Sequence, residues 1–96
     1  MSYDVNIGTY LINHTYNGCE CCKDIIGITP RDFTGKKGSD VLLLATKVYN
    51  ELKNNPKRYE HYMPDNEWGT IKTWIKFMKE IIEACKKYPN EIVEVN

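Results

Sequence analysis

Tyr3-Asp4-Val5-Asn6-Ile7-Gly8-Thr9-Tyr10-Leu11-Ile12 decides the fold class. Tyr3, Val5, Ile7, Thr9 and Leu11 occupy one side of a period-two pattern, and Asp4, Asn6, Gly8 and Tyr10 the other. Alternation of this kind, rich in β-branched and aromatic residues, predicts a half-buried strand. Gly8 within it marks a bulge or a close backbone approach.

Outward from this strand the chain turns helical. Asn13 to Gly18 reads as a turn or strand end, because Asn and Thr side chains bond their own backbone there. Cys19 to Ile26 forms a short helix with Cys22, Ile25 and Ile26 inward, and Thr29-Pro30 ends it. Phe33 to Gly38 is turn material. Ser39 is an N-cap for a helix over 40–53, whose stripe is Val41, Leu44, Ala45, Val48 and Leu52. Asn55-Pro56 starts a short helix running to about Tyr62, since Pro suits the first helical position. A long helix follows from Gly69–Thr70 to about Lys87. Ile71, Trp74, Ile75, Met78, Ile81, Ile82 and Cys85 make its apolar stripe, and Lys72, Lys76 and Lys79 form a solvated side. Glu91 to Val95 is a final strand that pairs with residues 3–12. Two strands alone make a weak sheet, which a third strand near 27–34, or pairing across a dimer, would repair. The expected class is α+β: a small sheet of N- and C-terminal strands packed against two main helices and one or two short ones, in a single domain over 1–96.

The 96 residues carry 13 basic and 13 acidic side chains. A balanced charge lacks the basic excess that neutralises phosphates, so nucleic acid is not the expected partner. No apolar run approaches the roughly 20 residues of a membrane span. Residues 1–12 lack the basic and apolar regions of a signal peptide, so the expected location is cytoplasmic. In that compartment Cys19, Cys21, Cys22 and Cys85 are thiols rather than disulfides, and Asn13-His14-Thr15 is a chance glycosylation match. At this length the buried fraction is roughly 60–65%, which leaves room for stability shared with a second copy.

Chemistry concentrates in Asn13-His14-Thr15-Tyr16-Asn17-Gly18-Cys19-Glu20-Cys21-Cys22. Zinc sites space their thiolates as C-x2-C or wider, and C-x-C-C does not fit, so no metal or other cofactor is expected. A thiol nucleophile needs a base and a stabilised thiolate. His14 is the nearby base, and a metal- or thiol-dependent enzyme using His14 with Cys19, Cys21 or Cys22 is the alternative reading. The chain has no H-E-x-x-H, G-x-S-x-G, P-loop or G-x-G-x-x-G pattern. The amide, hydroxyl and phenol groups of Asn13, Thr15, Tyr16 and Asn17 instead offer donors, acceptors and a flat face. With Asn66 and Trp68 they form a candidate ligand site for a small planar polar group such as a nucleobase. The competing reading makes the same side chains a clasp that ties the strand end to the 64–69 loop.

Asn13-His14-Thr15-Tyr16-Asn17, then Pro64-Asp65-Asn66-Glu67-Trp68-Gly69, then a helix ending in Cys85-x-x-x-Pro89, resembles a family of small bacterial and phage proteins. Its members read N-x-T-Y-N near the start and P-x-N-G-W-G before the last helix. The family has no assigned activity, so the resemblance implies a fold outline and a phage or mobile-element setting. Glu67 departs from its glycine, and Cys19 to Cys22 departs from a Ser-Pro-Met-like stretch, which argues against family-wide cysteine chemistry. The resulting expectation is a small non-enzymatic binding or accessory protein. It would sequester a nucleotide-like ligand or dock on a host protein, for example in anti-defence. A structural subunit of a homo-oligomer is the third reading.

Overall fold

The computed structural model describes residues 2–64 and 69–96. Strands β1 (Ser2–Ile7), β2 (Tyr10–Thr15) and β3 (Glu94–Val95) form one antiparallel sheet in the order β2-β1-β3. Helices α1 (Glu20–Ile26), α2 (Gly38–Asn54), α3 (Pro56–Tyr59) and α4 (Ile71–Lys87) complete an α+β fold with both terminal segments in the sheet.

The stretch expected as a single strand is a hairpin. Gly8, at a φ of +57°, and Thr9 connect Ile7 to its cross-strand partner Tyr10. A two-residue connection with positive φ at its first position is the favoured geometry of a tight hairpin, and glycine adopts it without a Cβ penalty. The reversal shifts the buried face by one residue. Tyr3, Val5 and Ile7 are buried as the alternation predicts, but on β2 Ile12 is buried and Leu11 is 69% exposed. The third strand therefore comes from this reversal. Residues 30–33 form a short 3-10 helix instead of the strand expected near 27–34.

Helix α2 starts at Gly38, one residue before the expected Ser39 cap. Its free N–H groups bond across the fold: Gly38 donates to the Glu91 carbonyl (2.8 Å) and Ser39 to that of Pro89 (2.8 Å). A tertiary contact replaces the side-chain cap, and it needs glycine, since a Cβ at position 38 would meet the Tyr88 carbonyl. Helix α4 starts where expected, and the Thr70 hydroxyl caps it by accepting from the Thr73 N–H at 3.2 Å. Its buried residues are Trp74, Phe77, Met78, Ile81, Ala84 and Cys85, while Ile71, Ile75 and Ile82 are half-buried. The stripe is rotated toward Phe77 and Ala84 because α4 packs against α2 and also over β2.

The core joins the inner sheet face to Phe33, Val41, Ala45, Val48 and Leu52 and to the buried side of α4. The outer sheet face has no layer over it among the described residues: Ser2, Asp4, Leu11, Asn13 and Glu94 are exposed. No described helix is long and apolar enough to cross a membrane.

Candidate functional site

The two faces of β2 separate the residues that the sequence groups together. Asn13 lies on the outer face opposite Asp4, and His14 on the inner face opposite Tyr3. The Asn13 side-chain amide donates to Asp4 Oδ1 (2.8 Å), the Tyr3 carbonyl (3.1 Å) and Ser2 Oγ (3.2 Å). Its nitrogen is thereby committed to the hairpin. The Thr15 hydroxyl accepts from the Asn17 N–H at 3.2 Å and shapes the strand exit. Tyr16 lays its ring on Tyr3, with centroids 4.4 Å apart, and Arg31 donates to the Tyr16 hydroxyl. The Arg31 guanidinium lies 5.2 Å and 5.5 Å from the centroids of Tyr16 and Tyr3, within cation–π range of both.

Asn17 is held by its backbone. The buried Trp74 indole N–H donates to the Asn17 carbonyl at 2.7 Å. Gly69, at a φ of +83°, closes on the same residue, and a Cβ there would strike that carbonyl. The strand exit and the residue following the 64–68 segment are thus in contact. Asn66 and Trp68 lie outside the described residues. The structure brings Thr15 and Asn17 together through one hydrogen bond, and turns Asn13 and Tyr16 to different neighbours.

A groove of about 200 Å³ lies where β2 meets α4, lined by Asn13, His14, Thr73, Lys76, Phe77 and Glu80. The His14 ring stacks on Phe77 with centroids 4.7 Å apart and leans on Trp74 at 4.5 Å. Its Nδ1 lies 2.9 Å from the Thr15 carbonyl. A carbonyl only accepts, so Nδ1 carries the proton and Nε2 is the acceptor of the neutral ring. Burial lowers the His14 pKa from its ordinary 6.5, opposed by the Thr15 and Thr73 carbonyls and the charge of Glu80. Desolvation penalises the cation, so the ring is neutral at pH 7. The groove then offers an aromatic floor, one imidazole acceptor, one cation and one carboxylate.

The α4 side of this groove is the part sequence reasoning missed. Thr73, Lys76, Phe77 and Glu80 are spaced to share one helix face, which was the available signal. The sequence pattern puts Lys76 on a solvated side, because nothing in the sequence places that side beside β2. A larger concavity of about 360 Å³ runs along Asn54 to Arg58. It draws on five consecutive residues at the α2–α3 corner and gathers no distant groups, and Arg58 there pairs with Glu51 at 3.4 Å. Its size alone does not make it the better site.

The cysteines face the core. Cys21, Cys22 and Cys85 are buried and Cys19 is half-buried. The Cys22 thiol is pushed well up, first by its hydrogen bond with Cys21 and then by burial. Burial, then the Glu20 charge among smaller causes, raises Cys19, and burial alone pushes Cys85 up to about 11. These shifts keep the three thiols protonated, the opposite of nucleophile activation. Among the described residues no group of three His, Cys, Asp or Glu side chains is placed to hold a metal. Compared with known proteins, the chain matches no family model, no curated protein and no solved structure. The resemblance carried by residues 13–17 and 64–69 therefore stands on those motifs alone.

Proposed function

We propose that the protein is a small non-enzymatic binding protein whose recognition element is the groove between β2 and α4. The observation that carries this is the groove's composition: an aromatic floor from Phe77, a neutral His14 acceptor, and the opposite charges of Lys76 and Glu80 at one opening. A planar polar ring would stack on the floor and use Nε2, while Lys76 would meet an attached phosphate. Small-ligand pockets usually hold about 300–1,000 Å³, so 200 Å³ suits one ring rather than a whole nucleotide. The protonated thiols favour binding over covalent catalysis. Under this reading the neighbouring Asn13–Asn17 segment frames the groove. The setting implied by the resemblance is a phage or mobile element, and the role proposed within it is sequestration of a nucleotide-like ligand. Docking on a host protein through the same face is the second version.

Thermal unfolding with purine and pyrimidine mono-, di- and cyclic nucleotides tests the proposal. Saturation at 100 times Kd stabilises by about 2.7 kcal/mol. For a domain of this size that raises Tm by about 10 °C or more. The Tm rise should disappear in Lys76→Ala, and amide shifts should centre on His14 and Thr73. No response to any nucleotide class, beside tight binding to a host protein, would transfer the reading to the docking version.

A further inference from the structure

The sheet ends in a strand with unused hydrogen-bonding groups. Asp4 exchanges both backbone bonds with Asn96, each at 2.9 Å, so Asp4 and its alternates Ser2 and Asn6 face β3. Tyr3, Val5 and Ile7 therefore face β2, and bond to His14, Ile12 and Tyr10. On β2 this leaves the backbone N–H and C=O groups of Leu11, Asn13 and Thr15 directed away from the sheet. Among the described residues no backbone group bonds to any of them there, and their one side-chain partner is the His14 imidazole, which donates to the Thr15 carbonyl at 2.9 Å and leaves that oxygen a second lone pair. Tyr10–Thr15 carries no formal charge, no proline and no glycine. Proteins ordinarily protect such an edge with those devices.

We propose that the occupant of this edge is the β2 strand of a second copy, in antiparallel register about a two-fold axis through Asn13. That register pairs Asn13 with Asn13 and Leu11 with Thr15, and it alone uses all three outward-facing positions of both strands. The two sheets become one of six strands. The exposed Leu11 then shares the outer face with the partner's Thr15, and Ile12 lies beside the partner's His14 on the inner face.

Charge gives a second argument. Lys76 and Glu80 line the groove at the level of Asn13 and sit four residues apart on α4. Lysine preceding glutamate is the weaker order for a pair within one helix. The two are not paired in the structure, where the ion pair found among the described residues is Arg58–Glu51. A two-fold axis through Asn13 runs the two α4 helices antiparallel. Lys76 of each copy then faces Glu80 of the other. The same symmetry sets the two grooves side by side at the axis, so each half-sized site opens onto its equivalent. That last consequence rests on the ligand reading above. The assembly is measured without ligand, so failure of one leaves the other standing.

Sedimentation equilibrium of the full chain reads the assembly. The expected result is a concentration-dependent species of twice 11.2 kDa. Hydrogen exchange at the Leu11 and Asn13 amides should slow as the dimer forms. Asn13→Pro removes an edge donor, and should raise the dissociation constant at least roughly tenfold. Should that variant not fold, the charges decide: Glu80→Lys should weaken the dimer, and Lys76→Glu with Glu80→Lys should restore it. A monomer at about 1 mM, a dimer indifferent to the charge reversal, or rapid exchange at Leu11 and Asn13 within the dimer would each overturn the proposal.

Discussion

The two edges of the sheet are treated in opposite ways. At the β3 edge the outward backbone groups of Val95 are both taken: its N–H donates to Thr34 Oγ1 at 2.9 Å, and the Thr34 hydroxyl donates to its carbonyl at 3.1 Å. Arg31 reaches the same carbonyl at 3.5 Å. Just before β3, Gly35 donates to the Val93 carbonyl (2.9 Å), and Val93 donates to that of Lys36 (2.8 Å). The chain thus covers a two-residue strand thoroughly. Along the six-residue β2 edge, among the described residues, only the Thr15 carbonyl is met, by His14 Nδ1 at 2.9 Å, and the outward groups of Leu11 and Asn13 have no cover. Covering an edge with a loop or side chain is the usual protection against unwanted pairing. The bare edge of β2 lies beside the groove, so the same side of the molecule carries the unmet hydrogen bonds and the mixed chemistry.

The largest expected effect tests how the bare edge is held in place. Trp74 anchors the exit of β2 by packing under His14 and by its bond to the Asn17 carbonyl. Trp74→Ala should cost about 3–5 kcal/mol, as large-to-small core substitutions do. Urea unfolding gives the loss, and amides of β2 should lose protection before those of β3. A loss below about 1 kcal/mol would mean that β2 is held by its hairpin alone.

An intermediate effect tests the covered edge. Thr34→Val keeps the shape but removes the hydroxyl that both donates to and accepts from Val95. Leaving the Val95 N–H unpaired, with its carbonyl reached by Arg31 alone, should cost about 1–3 kcal/mol. The Val95 amide should exchange faster, and the variant should self-associate through a second open edge. Unchanged exchange at Val95 would show that the hydroxyl does not protect that edge.

The smallest effect is a pH dependence on the groove side. The folded His14 pKa is lowered below 6.5, so the unfolded chain binds its proton more readily. The stabilisation is therefore fully present above pH 6.5 and is lost as pH falls from there through the folded pKa. Urea midpoints between pH 7 and pH 5 should decline more steeply in the wild type than in His14→Gln. Parallel slopes would remove His14 as their source.

Much of this was legible beforehand because it depends on local rules. The apolar spacing of α2 and α4, the start of α4 after Gly69–Thr70 and the Pro56 start are short-range signals, and the structure keeps them. The hairpin was less legible. Gly8-Thr9 lacks the Asn-Gly or Asp-Gly signal of a tight turn, and Tyr3 to Leu11 alternates without a break across it. Only burial reveals the shift: Leu11 is exposed and Ile12 buried. Of the candidate site, the Asn13–Asn17 stretch was legible as an unusual run of polar groups. Its division between two sheet faces was not, because that division follows from the register. The α4 half of the groove was hidden for a related reason. Helical periodicity tells which residues share a face, but not which strand that face will meet.

The sequence by itself determined the α+β class, the helical segments and the balanced charge, since composition, capping and periodicity act over a few residues. The tertiary structure alone decided that the first strand doubles back, that Pro89 and Glu91 carbonyls cap α2, and that His14 meets Phe77, Lys76 and Glu80 at an open edge. Those outcomes join groups many residues apart. Their energies depend on register and packing, which appear only once the chain has closed on itself.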